Sequence, residues 1–411
     1  MTTIQLIAAI LFGLALAHTF AAKSFERLAD RYPRHAGLFH FFGEVEVVFG
    51  LWAFVLIVAM AMVAGGHSAI AYAESRTFTE PLFVFVIMVV AASKPVLEAI
   101  RALIAGLARL APLRTALVQV WLCLALVPLI GSLITEPAAM TLAALMLAPT
   151  AFRKAMPEWL KYAALGVLFV NVSIGGTLTA FAAPPVLMVA STWNWDSLHM
   201  ATTIGWRAAV AVIVNATVIT YLMRRHIEDA QPAPSGVPLL VSAIHLAFLG
   251  GVVAFAHHPV IFMGLFMFFL GFTTAYEQYQ NPLILKEGLL VGFFLAGLVV
   301  LGGMQQWWLQ PIVSSLSPHG LFFGATGLTA ITDNAALTYL GSLIQGLSDQ
   351  SKYMLMAGAV AGGGLTIIAN APNPAGAALL REGFEDESIG VGGLLAGALL
   401  PTAMAMLMFL V

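Results

Sequence analysis

The sequence predicts an all-α polytopic membrane protein whose halves form an inverted repeat, with two re-entrant hairpins and two broken transmembrane helices. Three observations predict it. Of the 411 residues, 60% are hydrophobic and only 9% charged, with a mean hydropathy of +0.93, whereas soluble domains carry about 25% charged residues. The 18 basic and 20 acidic side chains cannot build a polar shell around so long a chain, so lipid must solvate most of its surface. The apolar runs are continuous rather than alternating with period two, which fits helices and not an outer-membrane barrel. Two short polar patterns also interrupt apolar stretches in the first half and recur, in the same order, in the second. The composition excludes a soluble enzyme and a disordered chain. A net charge of −2 with no basic patch excludes a nucleic-acid binder.

Taken in order, residues 4–22 are an apolar stretch of about the ~20 residues that cross a bilayer. Lys23, Arg27, Arg31 and Arg34 follow this stretch instead of preceding it. A cleavable signal carries its charge in front, so a first transmembrane helix with an external N-terminus is expected. Further spans fall at 38–64 and 81–105, and 115–150 is apolar but interrupted near 131–137. The spans 159–190, 202–223, 238–256, 259–276 and 283–303 follow, then 320–347, broken at TAITDNA, and finally 353–380 and 390–410. The polar, proline-containing segment 226–236 divides the halves. Cys123, the single cysteine, lies in an apolar run and forms neither an intrachain disulfide nor a cysteine-based metal site.

Charge sets the orientation. With the N-terminus outside, Lys23, Arg27, Arg31, Arg34, Arg101, Arg109, Arg114, Arg153, Lys154, Lys161, Arg224, Arg225, Lys286 and Arg381 fall on the cytoplasmic side. Only Arg76 and Lys352 fall outside. That bias requires each interrupted stretch to enter and leave by one face, the first from inside and the second from outside. Both termini are then external, in the inner (plasma) membrane of the cell.

The repeat carries the functional argument. Thr135-Glu136-Pro137-Ala138-Ala139-Met140-Thr141 stands beside Thr332-Asp333-Asn334-Ala335-Ala336-Leu337-Thr338, at an offset of 197. After each, Gly175-Gly176-Thr177-Leu178-Thr179 with Ala182 and Pro185 matches Gly362-Gly363-Gly364-Leu365-Thr366 with Ala369 and Pro372, at an offset of 187. Opposed repeats with broken helices are the signature of secondary transporters. Backbone without helical bonding cannot face lipid, so these glycine-rich breaks must be buried in protein or line a wet cavity. Two hairpin tips and two breaks are thereby expected to meet near the midplane.

Each tip carries one acid, Glu136 or Asp333. An ionisable residue at membrane depth is costly and marks function by default. Sodium is a hard cation that favours carboxylate, carbonyl and hydroxyl oxygens, by the logic of other hard-cation sites. A buried carboxylate needs a counter-charge, which a proton or a sodium ion supplies in mutually exclusive fashion. Glu136 and Asp333 are therefore the candidate sodium and proton ligands. Thr135, Thr332, Asn334, Thr179, Thr366, Asn171 and Asn370 are candidate supporting ligands, and Asn373 could add an amide oxygen. Gly175, Gly176, Gly362, Gly363 and Gly364 supply the break backbone. The bland reading makes Glu136-Pro137 and Asp333-Asn334 helix caps, a role that does not exclude ligation.

Other intramembrane charges read as structural. Lys94 and Glu98, spaced i, i+4, are expected to pair. Glu44 and Glu46, two apart, cannot share one helix face. No phosphate-binding loop, nucleophile elbow or His-Glu-x-x-His motif occurs, so no enzyme is indicated.

On the T-E-P-A-A-M-T and T-D-N-A-A-L-T tips and the G-G-x-L-T breaks, the chain resembles the ion transporter superfamily over roughly 80–410, and within it the bacterial sodium/proton antiporters. The resemblance implies a homodimer in which each protomer has a scaffold and a mobile transport domain, moving as an elevator. It implies the division 1–114 (mostly scaffold), 115–225 (first repeat), 226–236 (linker), 237–316 (scaffold helices) and 317–411 (second repeat). Members that carry citrate or dicarboxylates have neutral Ser-Asn-Thr tips, and acidic tips repel anions. The function expected is Na+/H+ exchange with no cofactor beyond the transported ions. An anion transporter of the same superfamily (arsenite-like or di/tricarboxylate) and an ion channel are the alternatives.

Overall fold

The computed structural model describes residues 2–228 and 236–411, so most of the polar linker expected at 226–236 lies outside the described residues. The helices are α1 Thr3–Arg31, α2 Ala36–Gly43, α3 Val45–Ala64, α4 Gly66–Glu74, α5 Thr79–Ala91, α6 Lys94–Leu110, α7 Thr115–Leu124 and α8 Leu126–Ile134. They continue as α9 Glu136–Ala151, α10 Glu158–Gly175, α11 Pro184–Trp193, α12 Ser197–Met200, α13 Trp206–Met223, α14 Leu239–Ala254 and α15 Pro259–Ala275. The last are α16 Leu285–Gly302, α17 Gln306–Ser314, α18 Pro318–Thr329, α19 Asn334–Ser342, α20 Asp349–Gly362, α21 Asn373–Leu380 and α22 Val391–Leu410. No strand occurs among the described residues. Among the described residues, six helices are long and apolar enough to cross a membrane, or up to eight if each of two bent pairs is one span. The chain is thus an all-α polytopic membrane protein.

Several spans are less regular than their apolarity predicts. The run 38–64 divides at Glu44, which precedes α3 and pairs with Lys286 at 3.6 Å. The run 81–105 bends by 63° between α5 and α6, where Pro95 enters the first turn of α6 and cannot donate a backbone hydrogen bond. Glu98 pairs with Arg101 at 3.0 Å rather than with Lys94, which opens α6 beside the bend. A bend of 44° separates α7 from α8. Pro128, lacking an N–H, leaves the Leu124 carbonyl without its helical donor. The Asn171 amide takes that place, at 2.8 Å.

Two compact units result. The first comprises Met1–Phe85, Leu285–Leu316 and Tyr339–Leu347. Its centre is the crossing of α3 on α16, where a Cβ on Gly50 would strike the Phe293 ring and one on Gly297 the backbone at Gly50. Phe49 meets Phe294 edge-on at 5.2 Å beside that crossing. The second unit comprises Val86–Ile284, Ser317–Thr338 and Ser348–Val411. Its axis is α10, buried at every residue from Ala164 to Gly175. Gly166 on α10 faces Gly397 on α22 at backbone contact, and Gly358 and Gly362 seat α20 against the Phe322 and Thr326 carbonyls of α18. Close glycine-mediated approach of this kind is how membrane helices associate, because lipid offers no hydrophobic gain between them. Helices 94–110 and 239–275, which chain order groups with the scaffold, pack within this second unit.

Candidate functional site

All four interruptions expected from the repeat lie in the second unit. At the first tip, α8 ends and α9 begins around Thr135, whose backbone has φ 81°. The chain reverses there: a Cβ on Gly131 would lie 3.2 Å from that of Ala139, whereas eight residues of continuous helix span about 12 Å. A β-branched residue at such a φ is held against its preference, at roughly 1–3 kcal/mol, so packing rather than local propensity fixes the turn. At the second tip, α18 and α19 are separated by residues 330–333. The Asp333 carboxylate accepts from the Ala335 and Ala336 amides at 2.8 and 3.1 Å, which caps α19.

The breaks occur at the glycines. Helix α10 stops at Gly175, passes through a short 3-10 turn and resumes as α11. Helix α20 stops at Gly362 and resumes as α21. The two breaks approach each other closely. A Cβ on Gly364 would collide with Val170, and one on Gly363 with Ser173, both on α10. The Ser173 hydroxyl donates to the Val360 carbonyl at 2.8 Å.

Each tip is bonded to the break of its own repeat in the same manner. Thr179 donates its hydroxyl to the Ser132 carbonyl at 2.6 Å, and Thr366 donates to the Ala330 carbonyl at 2.8 Å. In the first repeat Ser132 adds two bonds, donating to the Gly175 carbonyl at 2.7 Å and accepting from the Leu178 amide at 3.0 Å. Polar contacts also cross between repeats. The Asn370 amide donates to Glu136 Oε2 at 2.7 Å, and that of Asn334 to the Ser173 hydroxyl at 3.4 Å.

Glu136 is wholly buried, with 0% of its surface exposed. It is the first residue of α9 and its carboxylate points across to Asn370, so the capping role read from Glu136-Pro137 is not what it performs. Asp333 does act as a cap, and it lies near enough to act electrostatically on Glu136. Glu136 Oε1 has no hydrogen-bond partner among the described residues. The same holds for Thr135 Oγ1, Thr329 Oγ1 and the Oδ1 atoms of Asn334, Asn370 and Asn373. A buried oxygen left without a donor costs about 1–3 kcal/mol. Of these oxygens, that of Asn370 belongs to the amide that donates to the Glu136 carboxylate, and Thr135 is the chain neighbour of Glu136. Four helix C-termini (134, 175, 329 and 362) and four helix N-termini (136, 184, 334 and 373) meet at the tips and breaks, so helix ends of both signs lie there.

The structure therefore gathers Glu136, Thr135, Asn334, Asn370, Thr179 and Thr366 at the tips and breaks, with Asp333 beside them. Two expected ligands are placed otherwise. Thr332, in an exposed contact, turns its hydroxyl back to the Leu328 carbonyl of α18 at 2.8 Å instead of bridging tip and break as Thr179 and Thr366 do. Asn171 donates to the Leu124 and Val212 carbonyls and accepts from Asn215 at 3.0 Å, tying α7, α10 and α13 together. Ser132, Ser173 and Thr329 were not singled out by the sequence. Ser132 and Thr329 precede their tips by three residues, at positions matched between the repeats, which is the one signal that marks them. Asn373, an additional amide in the sequence reading, holds the second break by donating to the Gly363 and Thr366 carbonyls at 2.8 and 2.9 Å.

Compared with known families, residues 3–411 match a model described as "Putative Na+/H+ antiporter". No curated protein matches the chain.

Proposed function

The chain belongs to this Na+/H+ antiporter family, and we propose that it exchanges Na+ for H+ by alternating access, with Glu136 as the shared ligand and Asp333 as its electrostatic partner. The observation that carries this reading is the wholly buried Glu136 carboxylate, held on Oε2 by the Asn370 amide while its Oε1 has no hydrogen-bond partner among the described residues. A carboxylate removed from water must be neutralised. A proton does so by forming the acid, and a sodium ion does so by ligation to the oxygens. Since RCOOH + Na+ gives RCOO−·Na+ + H+, each sodium that binds expels one proton, and no separate proton pathway is needed. Thr135, Asn334 and Asn370 supply further oxygens, and Thr179 and Thr366, whose hydroxyl protons are already committed, retain lone pairs for the ion.

The transported ions take the place of any cofactor. The same reading has the chain work as a homodimer in the plasma membrane, both termini outside, with the first tip opening inward and the second outward. Proteoliposomes with a trapped pH dye test the function. Adding Na+ or Li+ to the outside is expected to release protons from within, whereas citrate and arsenite are expected to move nothing. A signal driven by an organic anion or arsenite alone would reject the proposal and favour the anion branch of the same fold. Flux independent of any counter-ion gradient would indicate a channel.

A further inference from the structure

We infer that the groove bounded by α10, α13 and α22 seats one acyl chain of an anionic membrane lipid, whose headgroup is held by Arg224 and Arg225. The groove encloses about 510 Å³, with Trp159, Val167, Ile219, Gly397 and Leu407 among its walls. Leu222, Leu400 and Leu407 are exposed along it, so it opens toward lipid. Ala396, Gly397 and Ala403 on α22 leave the space unfilled.

Its length suits one leaflet. From Ala396 to Leu407 along α22 is about 16 Å at 1.5 Å per residue, close to half of a ~30 Å hydrocarbon core. The polar group in the wall is already satisfied: the Asn215 amide donates to Asn171 Oδ1 at 3.0 Å and to the Pro401 carbonyl at 3.2 Å. The surface left for an occupant is apolar.

One end of the groove is cationic. Leu222 and Trp159 line that end, and Arg224 and Arg225 follow directly on α13. Arg224 is half-buried and lies over the Tyr221 ring, 3.6 Å from its centroid, and Arg225 is exposed. The nearby acids are engaged, Glu158 with Lys161 at 2.6 Å and Glu228 with Arg153, so positive charge remains in excess. A tail gains no hydrophobic energy by leaving other tails. Preference among lipids must then come from the headgroup, and two arginines select a negative one. An isologous second copy would bring its own two arginines to the same face, which disfavours it as the occupant. The lipid would brace the rear of α10, the helix that carries the first break.

Native mass spectrometry of the full chain in detergent, with phosphatidylglycerol or phosphatidylcholine added, tests this. One phosphatidylglycerol per chain is expected to be retained with a preference of about thirtyfold, the sum for two arginines. The Arg224→Ala/Arg225→Ala variant should erase the preference, and Ala403→Trp, which fills the groove from its lipid side, should lower retention of both lipids. Arg225→Gln, at an exposed position, gives the same reading should the double variant not fold. Equal retention of the two lipids by the wild-type chain, or unchanged retention in the variants, would overturn the inference. So would a photoreactive group at position 403 that cross-links chain to chain instead of chain to lipid.

Discussion

At the residue scale the two acids are not equivalent, although they occupy matched positions in the repeat. Asp333 accepts from two backbone amides at the start of α19, a role that Asn fills about as well as Asp. Asp333→Asn should therefore melt within about 0.5 kcal/mol of the wild-type chain yet lose sodium-dependent proton release in the vesicle assay. Retained exchange would remove its charge from the mechanism. Glu136 has no capping role, and its Oε2 is bound to Asn370. In Glu136→Gln the side-chain carbonyl still accepts from Asn370, so the fold should persist while exchange is abolished. Thr135 offers a different test. Glycine relieves the strain of its φ of 81°, worth about 1–3 kcal/mol, so Thr135→Gly should raise the melting temperature. It also removes a buried hydroxyl without a donor, so sodium affinity should fall. A lower melting temperature would mean that the hydroxyl matters more to the turn than its backbone strain does.

At the element scale, function depends on helices stopping where the glycines are. The break in α20 lies against α10 so closely that Gly364 admits no Cβ beside Val170. Overpacking of this kind costs about 1–3 kcal/mol, so Gly364→Ala should destabilise the chain and lower exchange together. Gly327 on α18 is the control, because a Cβ there meets nothing within 4 Å. Gly327→Ala should be neutral or stabilising, by up to about 1 kcal/mol, through helix propensity alone. Equal behaviour of the two variants in thermal melts would contradict the crossing. The glycines, the tip acids and the offset between copies were legible in the sequence because they are local patterns. The bend at Pro128 was not, since an apolar run conceals which carbonyl a proline has left unpaired. The bonds of Asn171 were hidden for the same reason: an intramembrane amide looks alike in sequence whether it meets an ion or, as here, the Leu124 carbonyl that Pro128 leaves open.

At the scale of the whole molecule, the tips and breaks all belong to one compact unit, and Met1–Phe85, Leu285–Leu316 and Tyr339–Leu347 form another. Exchange of one proton per sodium is electrically silent, whereas each extra charge moved couples to the membrane potential at about 2.3 kcal/mol per 100 mV. Orientation is testable with one reagent. Cys123 is buried and gives little background, so single cysteines can be read by a membrane-impermeant maleimide on intact cells. Asp349→Cys, at a residue whose side chain is 95% exposed, should label from outside, and Lys154→Cys only after permeabilisation. Labelling of both from outside would refute the charge-based orientation.

Composition and pattern by themselves determined that the chain lives in lipid as helices, that two of those helices break at glycine motifs, and that Glu136 and Asp333 hold matched positions between helices. Each of these follows from a few neighbouring residues and from the cost of exposing charge or bare backbone to hydrocarbon. Only the tertiary structure decided that Glu136 is the carboxylate taken wholly out of water, that Asn370 is its partner and that Asn171 belongs to the framework. Burial of one side chain depends on packing among segments more than two hundred positions apart, Glu136 and Asn370 being 234 residues distant. No local pattern encodes which of two similar acids such packing encloses.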